Sequence, residues 1–206
     1  MQLVLVRHAL PELVHGTAGG TADPPLTGHG QAQAARLVAA IGSDVAGLYT
    51  SPMARARATA TPVAAALGVT PTVVDDLREY DADVAHYVPV HEMAQLDPGT
   101  WDRIRAGLLP DYVDVAAFTA RVANALERVV AAHEGRATAV VVAHAGVINT
   151  WLAQLLGTAR PLAFPLDYAG ITRVLAGRDG RRYVRTVNEI AHVADLLTPI
   201  AGSTSD

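Results

Sequence analysis

Residues 1–7 read Met-Gln-Leu-Val-Leu-Val-Arg, an apolar, β-prone run without alternation, and the pattern returns in Ala-Val-Val-Val-Ala at 139–143. Such a run fits a strand covered on both faces and does not fit one with a wet face. Helix-like segments separate the strands. Residues 29–42 have Thr27 as candidate N-cap and Gly42 at the exit, and residues 51–68 open with Ser51 as cap and Pro52 at the first helical position. Further helices are expected over 113–134, ended by Gly135, and over 146–157. Short strands are expected at 45–50 and 71–77, and 170–177 with 182–188 read as a hairpin around Arg178-Asp179-Gly180-Arg181. Strands alternating with helices predict an α/β fold, a three-layer α/β/α sandwich around a mostly parallel central sheet.

A length of 206 residues fits one domain, 1–206, with a lid or insert at about 80–112 where Asp, His, Tyr and Pro accumulate. The tail after Pro199 reads as loose. Half of the residues are hydrophobic and 17% are charged, which excludes a disordered chain. No apolar run approaches the length that spans a bilayer, and no charged lead with a cleavage site precedes the first strand. A cytoplasmic protein without a membrane partner is the expectation. Cysteine is absent, so thiolate nucleophiles and zinc–thiolate sites are excluded. The net charge of −4 argues against nucleic acid as a partner. All 16 basic residues are arginine, so any phosphate held by a cation here is held by the guanidinium fork.

In a sheet of this kind the ligand lies beyond the carboxyl ends of the strands, where helix N-termini also converge. The first strand ends in Arg7-His8 and the fourth in Ala143-His144. The second runs into Ser51-Pro52, then Arg55, and the third is followed by Arg78-Glu79. One histidine or arginine in such a place is ordinarily structural or solvated. Four segments delivering cations and a carboxylate to one edge suit phosphoryl transfer through a covalent intermediate. A neutral His8 is a competent nucleophile towards phosphorus. Arg7 and Arg55 would grip the phosphoryl oxygens and keep His8 unprotonated by like-charge repulsion. Glu79 is the available acid, its pKa expected to rise through burial and the nearby Asp81 and Asp83.

With these residues in view, the chain resembles the histidine phosphatases, a family that includes the cofactor-dependent phosphoglycerate mutases. Leu5-Val6-Arg7-His8-Ala9 is similar to the family's Arg-His-Gly signature, and Pro25-Leu26-Thr27-Gly28-His29-Gly30-Gln31-Ala32 to its Leu-Thr-x-x-Gly-x-x-Gln segment. Ser51-Pro52-Met53-Ala54-Arg55-Ala56 resembles its Ser-Pro-x-x-Arg-Ala helix. Val142-Ala143-His144-Ala145-Gly146-Val147-Ile148 resembles its Val-Ser-His-Gly-Gly-Val-Ile turn, and Asn188 and His192 its final Asn and His. The resemblance implies a phosphoglycerate mutase-like fold and His8 as phosphoryl acceptor. It places Arg7, Arg55 and His144 around the phosphate and matches Glu79 to the usual acid. It also implies that Thr27 and Gly28 approach the substrate, although Thr27 has an equal reading as a helix cap. No metal and no cofactor are expected, and a homodimer is compatible with the family.

The departures concern the surroundings of the leaving group. Ala9 and Ala145 follow the two motif histidines where glycine is usual, and alanine lacks the freedom to take positive φ, so these loops are expected to differ. Ala58, Leu10 and Val14 replace polar residues of the family, and Tyr80-Asp81-Ala82-Asp83-Val84 follows Glu79, which leaves Asp81 as the alternative acid. The expected function is metal-independent hydrolysis of a small-molecule phosphate ester. A mutase-type phosphotransferase is the alternative, followed by a non-catalytic phosphoester-binding module. The lid argues against the mutase, because Arg103 and Arg105 are its only cations. Trp101, Met93 and Tyr87 fit either a pocket wall or a lid packed onto the core, and the second is the expectation. His86 and His91 match no metal-binding spacing.

Overall fold

The computed structural model describes residues 1–16 and 20–197, so the tail after Pro199 lies outside the described residues. Six strands form one sheet: β1 (Gln2–Arg7), β2 (Gly47–Thr50), β3 (Thr72–Val73), β4 (Thr138–Ala143), β5 (Ile171–Ala176) and β6 (Arg182–Glu189), in the order β3-β2-β4-β1-β5-β6. The first four strands in that order run parallel, and β5 and β6 close the sheet as an antiparallel hairpin. The expected mostly parallel sheet is therefore present. The third strand is much shorter than the expected 71–77. After Val73 the chain turns into a 3₁₀ turn, Asp75–Leu77, which buries Leu77 while Asp76 pairs with Arg128 at the surface. Two adjacent carboxylates suit a solvated turn better than a ladder.

Alternate residues of β1 and β4 supply the two sides of the core. Leu3, Leu5 and Val141 pack with Leu126 of α5 (Val115–Ala131) and with Trp151 and Leu152 of α6 (Ala145–Leu156). Val4, Val6, Val140 and Val142 pack with Leu37 of α1 (Gly28–Ile41) and with Ala56, Ala60 and Val63 of α2 (Ala54–Leu67). Every one of these side chains is at most 1% exposed, which explains why both strands are apolar along their whole length. Two short helices, α3 (Met93–Leu96) and α4 (Pro98–Arg105), interrupt the segment between the 3₁₀ turn and α5. No helix among the described residues is long and apolar enough to cross a membrane.

The helix starts correct one expectation and bear out another. Thr27 caps α1, its hydroxyl accepting from the Gly30 amide at 2.8 Å. Ser51 does not cap α2, which begins three residues later at Ala54. There the Asp23 carboxylate accepts from the Ala54 amide through both oxygens, at 2.8 and 2.9 Å, so a distant loop does the capping. Ser51 is thereby left for the site.

Candidate active site

The register of the sheet determines which strand ends meet. Arg7 lies opposite Ala143, and Thr50 opposite Val142. The next residue of each strand therefore emerges on the same edge. The His8 amide donates to the Ala143 carbonyl at 2.8 Å, and the Ser51 amide donates to the Val142 carbonyl at 3.0 Å. The His8 and His144 rings are 5.2 Å apart. Arg55, the second residue of α2, is 0% exposed and reaches the same place. Residues 7, 8, 55 and 79 line one cleft of about 370 Å³, and His144 lies beside it, its ring against that of His8.

His8 is fixed in one tautomer. Its Nδ1 lies 2.8 Å from the Ala9 carbonyl oxygen, which only accepts, so Nδ1 carries the hydrogen and Nε2 carries the lone pair. The Ala9 amide is in turn held by Thr59 Oγ1 at 2.9 Å, and the Leu10 amide by Gln33 Oε1 at 3.0 Å. Burial first, then Arg55 and Arg7, push the His8 pKa well below its usual value, against a smaller upward pull from the Ala9 hydrogen bond. The imidazole is neutral at physiological pH.

The nitrogens facing it remain unpaired within the protein. Arg7 Nε, Arg55 Nε and Nη1, and His144 Nδ1 are buried without a hydrogen-bond partner. Buried donors of this kind are costly unless they serve a ligand, and planar forks suit a tetrahedral oxyanion. The other nitrogens of these groups are occupied in ways that aim them. Arg7 Nη1 donates to the Leu166 carbonyl, and its guanidinium lies 3.8 Å above the Tyr168 ring. Arg55 Nη2 donates to Asp81 Oδ1 at 2.7 Å, with the guanidinium 4.7 Å from the Tyr87 ring. Burial opposes the Arg55 charge, but Asp81, Tyr87 and Glu79 together outweigh it and raise the pKa.

Ser51 takes the far nitrogen of His144, with Oγ 2.8 Å from Nε2. The same oxygen accepts from the Met53 amide at 3.3 Å, and among the described residues Nε2 is the acceptor within reach of its hydroxyl hydrogen. Burial, then Arg55, His8 and Arg7, lower the His144 pKa well below normal, so the ring is neutral. A neutral ring that accepts at Nε2 must donate at Nδ1, the unpaired nitrogen beside the arginines. Its place in the Ser-Pro segment marked Ser51 as notable, but pairing with a residue 93 positions away has no signal in a single sequence.

Glu79 is 7% exposed, and its two oxygens accept from the amides of Gly146 (2.8 Å) and Tyr80 (3.1 Å). A Cβ at Gly146 would lie 2.4 Å from Glu79 Oε1, so this approach needs glycine. Burial and then Asp81 raise the Glu79 pKa to about 7, against the two amides and Arg55. Asp81 is the ion-pair partner of Arg55, an arrangement that keeps its carboxylate occupied.

Thr27 and Gly28 stand apart from this constellation. Neither lines the cleft, the Thr27 hydroxyl is used in capping α1, and Gly28 is exposed. Of the two readings of Thr27, the helix cap is the one its contacts show. Ala9 and Ala145 do not take positive φ: among the described residues only Ala169 (φ 57°) and Asn188 (φ 56°) are non-glycine residues there. Those two brace the loop before β5. Asn188 accepts from the Asp167 amide (2.8 Å) and donates to its carboxylate (2.7 Å), while His192 donates to the Ala169 carbonyl at 3.0 Å. That loop carries Leu166 and Tyr168, the supports of Arg7, which sequence reasoning missed. Trp101, Met93 and Tyr87 all line the cleft, a correction to the reading of them as lid packing. Among the described residues no group of three or more His, Asp or Glu side chains is arranged to hold a metal.

Residues 3–189 match the family model of the histidine phosphatase superfamily, branch 1. The bifunctional protein Rv2228c of Mycobacterium tuberculosis is 29% identical over 200 residues, which cover 93% of this chain and 55% of that protein. The chain thus spans about half the length of the curated relatives it matches. Among solved structures, Bacillus stearothermophilus YhfR has a TM-score of 0.74 at 25% identity, covering 93% of this chain and 98% of that one. The mycobacterial glucosyl-3-phosphoglycerate phosphatase Rv2419c, in complex with inorganic phosphate, has a TM-score of 0.73 at 22% identity, covering 94% and 99%. At that identity the likeness concerns the fold.

Proposed function

The chain belongs to the histidine phosphatase superfamily, branch 1, and on that premise we propose that it hydrolyses phosphomonoesters by passing the phosphoryl group through His8 to water, without a metal ion. One observation carries this reading. His8 presents an unprotonated Nε2, because Nδ1 donates to Ala9, in the middle of buried and unpaired N–H groups of Arg7, Arg55 and His144.

The chemistry balances in two steps. The Nε2 lone pair attacks phosphorus while the P–O ester bond breaks, and the departing oxygen takes the proton of Glu79. Arg7, Arg55 and His144 Nδ1–H hold the three phosphoryl oxygens, over which the charge spreads. The Glu79 carboxylate then removes a proton from water, which attacks phosphorus. The P–N bond breaks, its electron pair returns to Nε2, and inorganic phosphate leaves. A Glu79 pKa of about 7 suits a group that must give and take a proton near neutrality. Asp81, engaged with Arg55, is better placed to orient that fork than to protonate the leaving group.

Rapid quenching into alkali during turnover of acetyl phosphate tests the intermediate. The expected result is an acid-labile, base-stable phosphoryl group on the peptide that carries His8, absent in His8→Ala along with turnover. Full turnover by His8→Ala would sink the reading.

A further inference from the structure

The outer half of the cleft differs in kind from the phosphate end. Val88, Met93, Trp101 and Ile104 come from the segment 78–105, and Leu162 and Phe164 stand across from them. None of the six carries a hydroxyl, carboxamide or charged group. The wall is also pre-formed. Asn149 clamps the backbone of Phe164 from both sides, accepting from its amide at 2.8 Å and donating to its carbonyl at 2.9 Å. The Leu162 amide donates to the Gly107 carbonyl at 3.0 Å, and the Val90 amide to the Tyr168 hydroxyl at 3.2 Å, so the two walls are tied together at both ends.

The polar lining is confined to the inner end and the mouth. Asp81 is spent on Arg55, and the Tyr87 ring packs against the Arg55 guanidinium. The Tyr80 ring packs beside Gly146 and edge-on to Phe118. At the mouth, Arg105 is an exposed cation, while its neighbour Arg103 is engaged by Asp111 and the Leu109 carbonyl. A single exposed guanidinium binds a second anion weakly, because water and salt screen it. A polyol placed against these six side chains would lose water from each hydroxyl and find one donor among them, the Trp101 indole N–H. Rejection of even one added hydroxyl by an apolar pocket reaches about 100-fold.

We propose that the physiological substrate is a small phosphomonoester of an apolar, ring-bearing alcohol, with Trp101, Met93 and Phe164 as the residues that select it. The inference rests on the phosphatase reading of His8. The volume of about 370 Å³ lies at the lower end of small-molecule sites, room for one ring system beyond the phosphate.

The test compares kcat/KM for phenethyl phosphate, glycerol phosphate and phosphoglycerate, whose alcohols all need a proton on departure. Acetyl phosphate reads the phosphoryl chemistry without filling the chamber. Phenethyl phosphate is expected to exceed both polar esters by about tenfold or more, approaching 100-fold. Trp101→Gln, on the half-exposed lid, is expected to lower that ratio at least about fivefold. A smaller preference than tenfold, or a ratio unmoved in Trp101→Gln, would overturn the inference while acetyl phosphate turnover leaves the phosphatase reading standing. Acetyl phosphate inert in the wild type would bring down both.

Discussion

At the inner end of the cleft, Arg55 and His144 are fully buried, one at the start of α2 and the other just past the end of β4, whereas at the outer end Trp101 and Phe164 are half exposed and come from a short helix and a loop. The inner groups are over-determined. Each ring or fork is aimed by a second contact, from the Ala9 carbonyl, Ser51, Asp81, or the Leu166 carbonyl with Tyr168. The outer wall is held through its backbone where Asn149 grips Phe164, and Leu162 and Phe164 also lean on the core. On the proposed function the contrast becomes a division of labour: rigid polar geometry for the phosphoryl group, which every ester shares, and an apolar surface for the alcohol, which varies.

If that division holds, inner changes should cut turnover of every ester alike, and outer ones should change only the ranking. The largest effect is expected from Arg55→Ala, which removes two unpaired donors and frees Asp81. It should lower kcat/KM by about 10³-fold for alkyl, aryl and acetyl phosphates together. A loss confined to one class of ester would break the comparison.

Glu79→Gln sits at the border between the two ends. Its expected loss is about 100-fold for alkyl phosphates and under about tenfold for a nitrophenyl ester, whose leaving group needs no proton. In the wild type, kcat/KM for alkyl phosphates should fall as pH rises past about 7, where Glu79 loses its proton, and the variant should lack that limb. Stability should follow the same group. The folded pKa lies above the usual 4.5, so the contribution of Glu79 is full below pH 4.5 and is lost as pH rises through about 7. Chemical denaturation across that range would register a slope that Glu79→Gln abolishes.

The smallest effect, about tenfold on kcat/KM whatever the leaving group, is expected from Ser51→Ala. Without the hydroxyl, Nε2 of His144 has no donor, and the Nδ1–H tautomer loses its advantage. Nitrogen NMR of the His144 ring should report a shifted tautomer balance, and Ser51→Thr should restore it. An unchanged ring in Ser51→Ala would show that Ser51 merely packs.

Much of the inner end is legible in the chain. The continuous apolar strands announce a sheet covered on both faces, and the residues that terminate them, Arg7, His8 and His144, are the ones that converge. Arg55 follows from its place one turn into a helix after β2. Legibility fails wherever a partner comes from far along the chain. Capping of α2 by Asp23 displaced the role read into Ser51, and Asn188 and His192 turned out to brace the loop under Arg7. Thr27 matched a motif for which the structure has a capping use.

The outer chamber lies furthest from what sequence pattern can supply. Trp101 and Met93 look like core residues in a single sequence, because an apolar side chain facing a cleft and one facing a core have the same chemistry. By itself the sequence determined the layers and which residues meet at the inner end of the cleft, since burial on both faces and chain order leave a periodic record. Only the tertiary structure decided the tautomers, how far the Glu79 pKa rises and the apolar character of the outer cleft. Those depend on which atoms lie within a few ångströms of one another, and that is a property of packing between segments rather than of any segment alone.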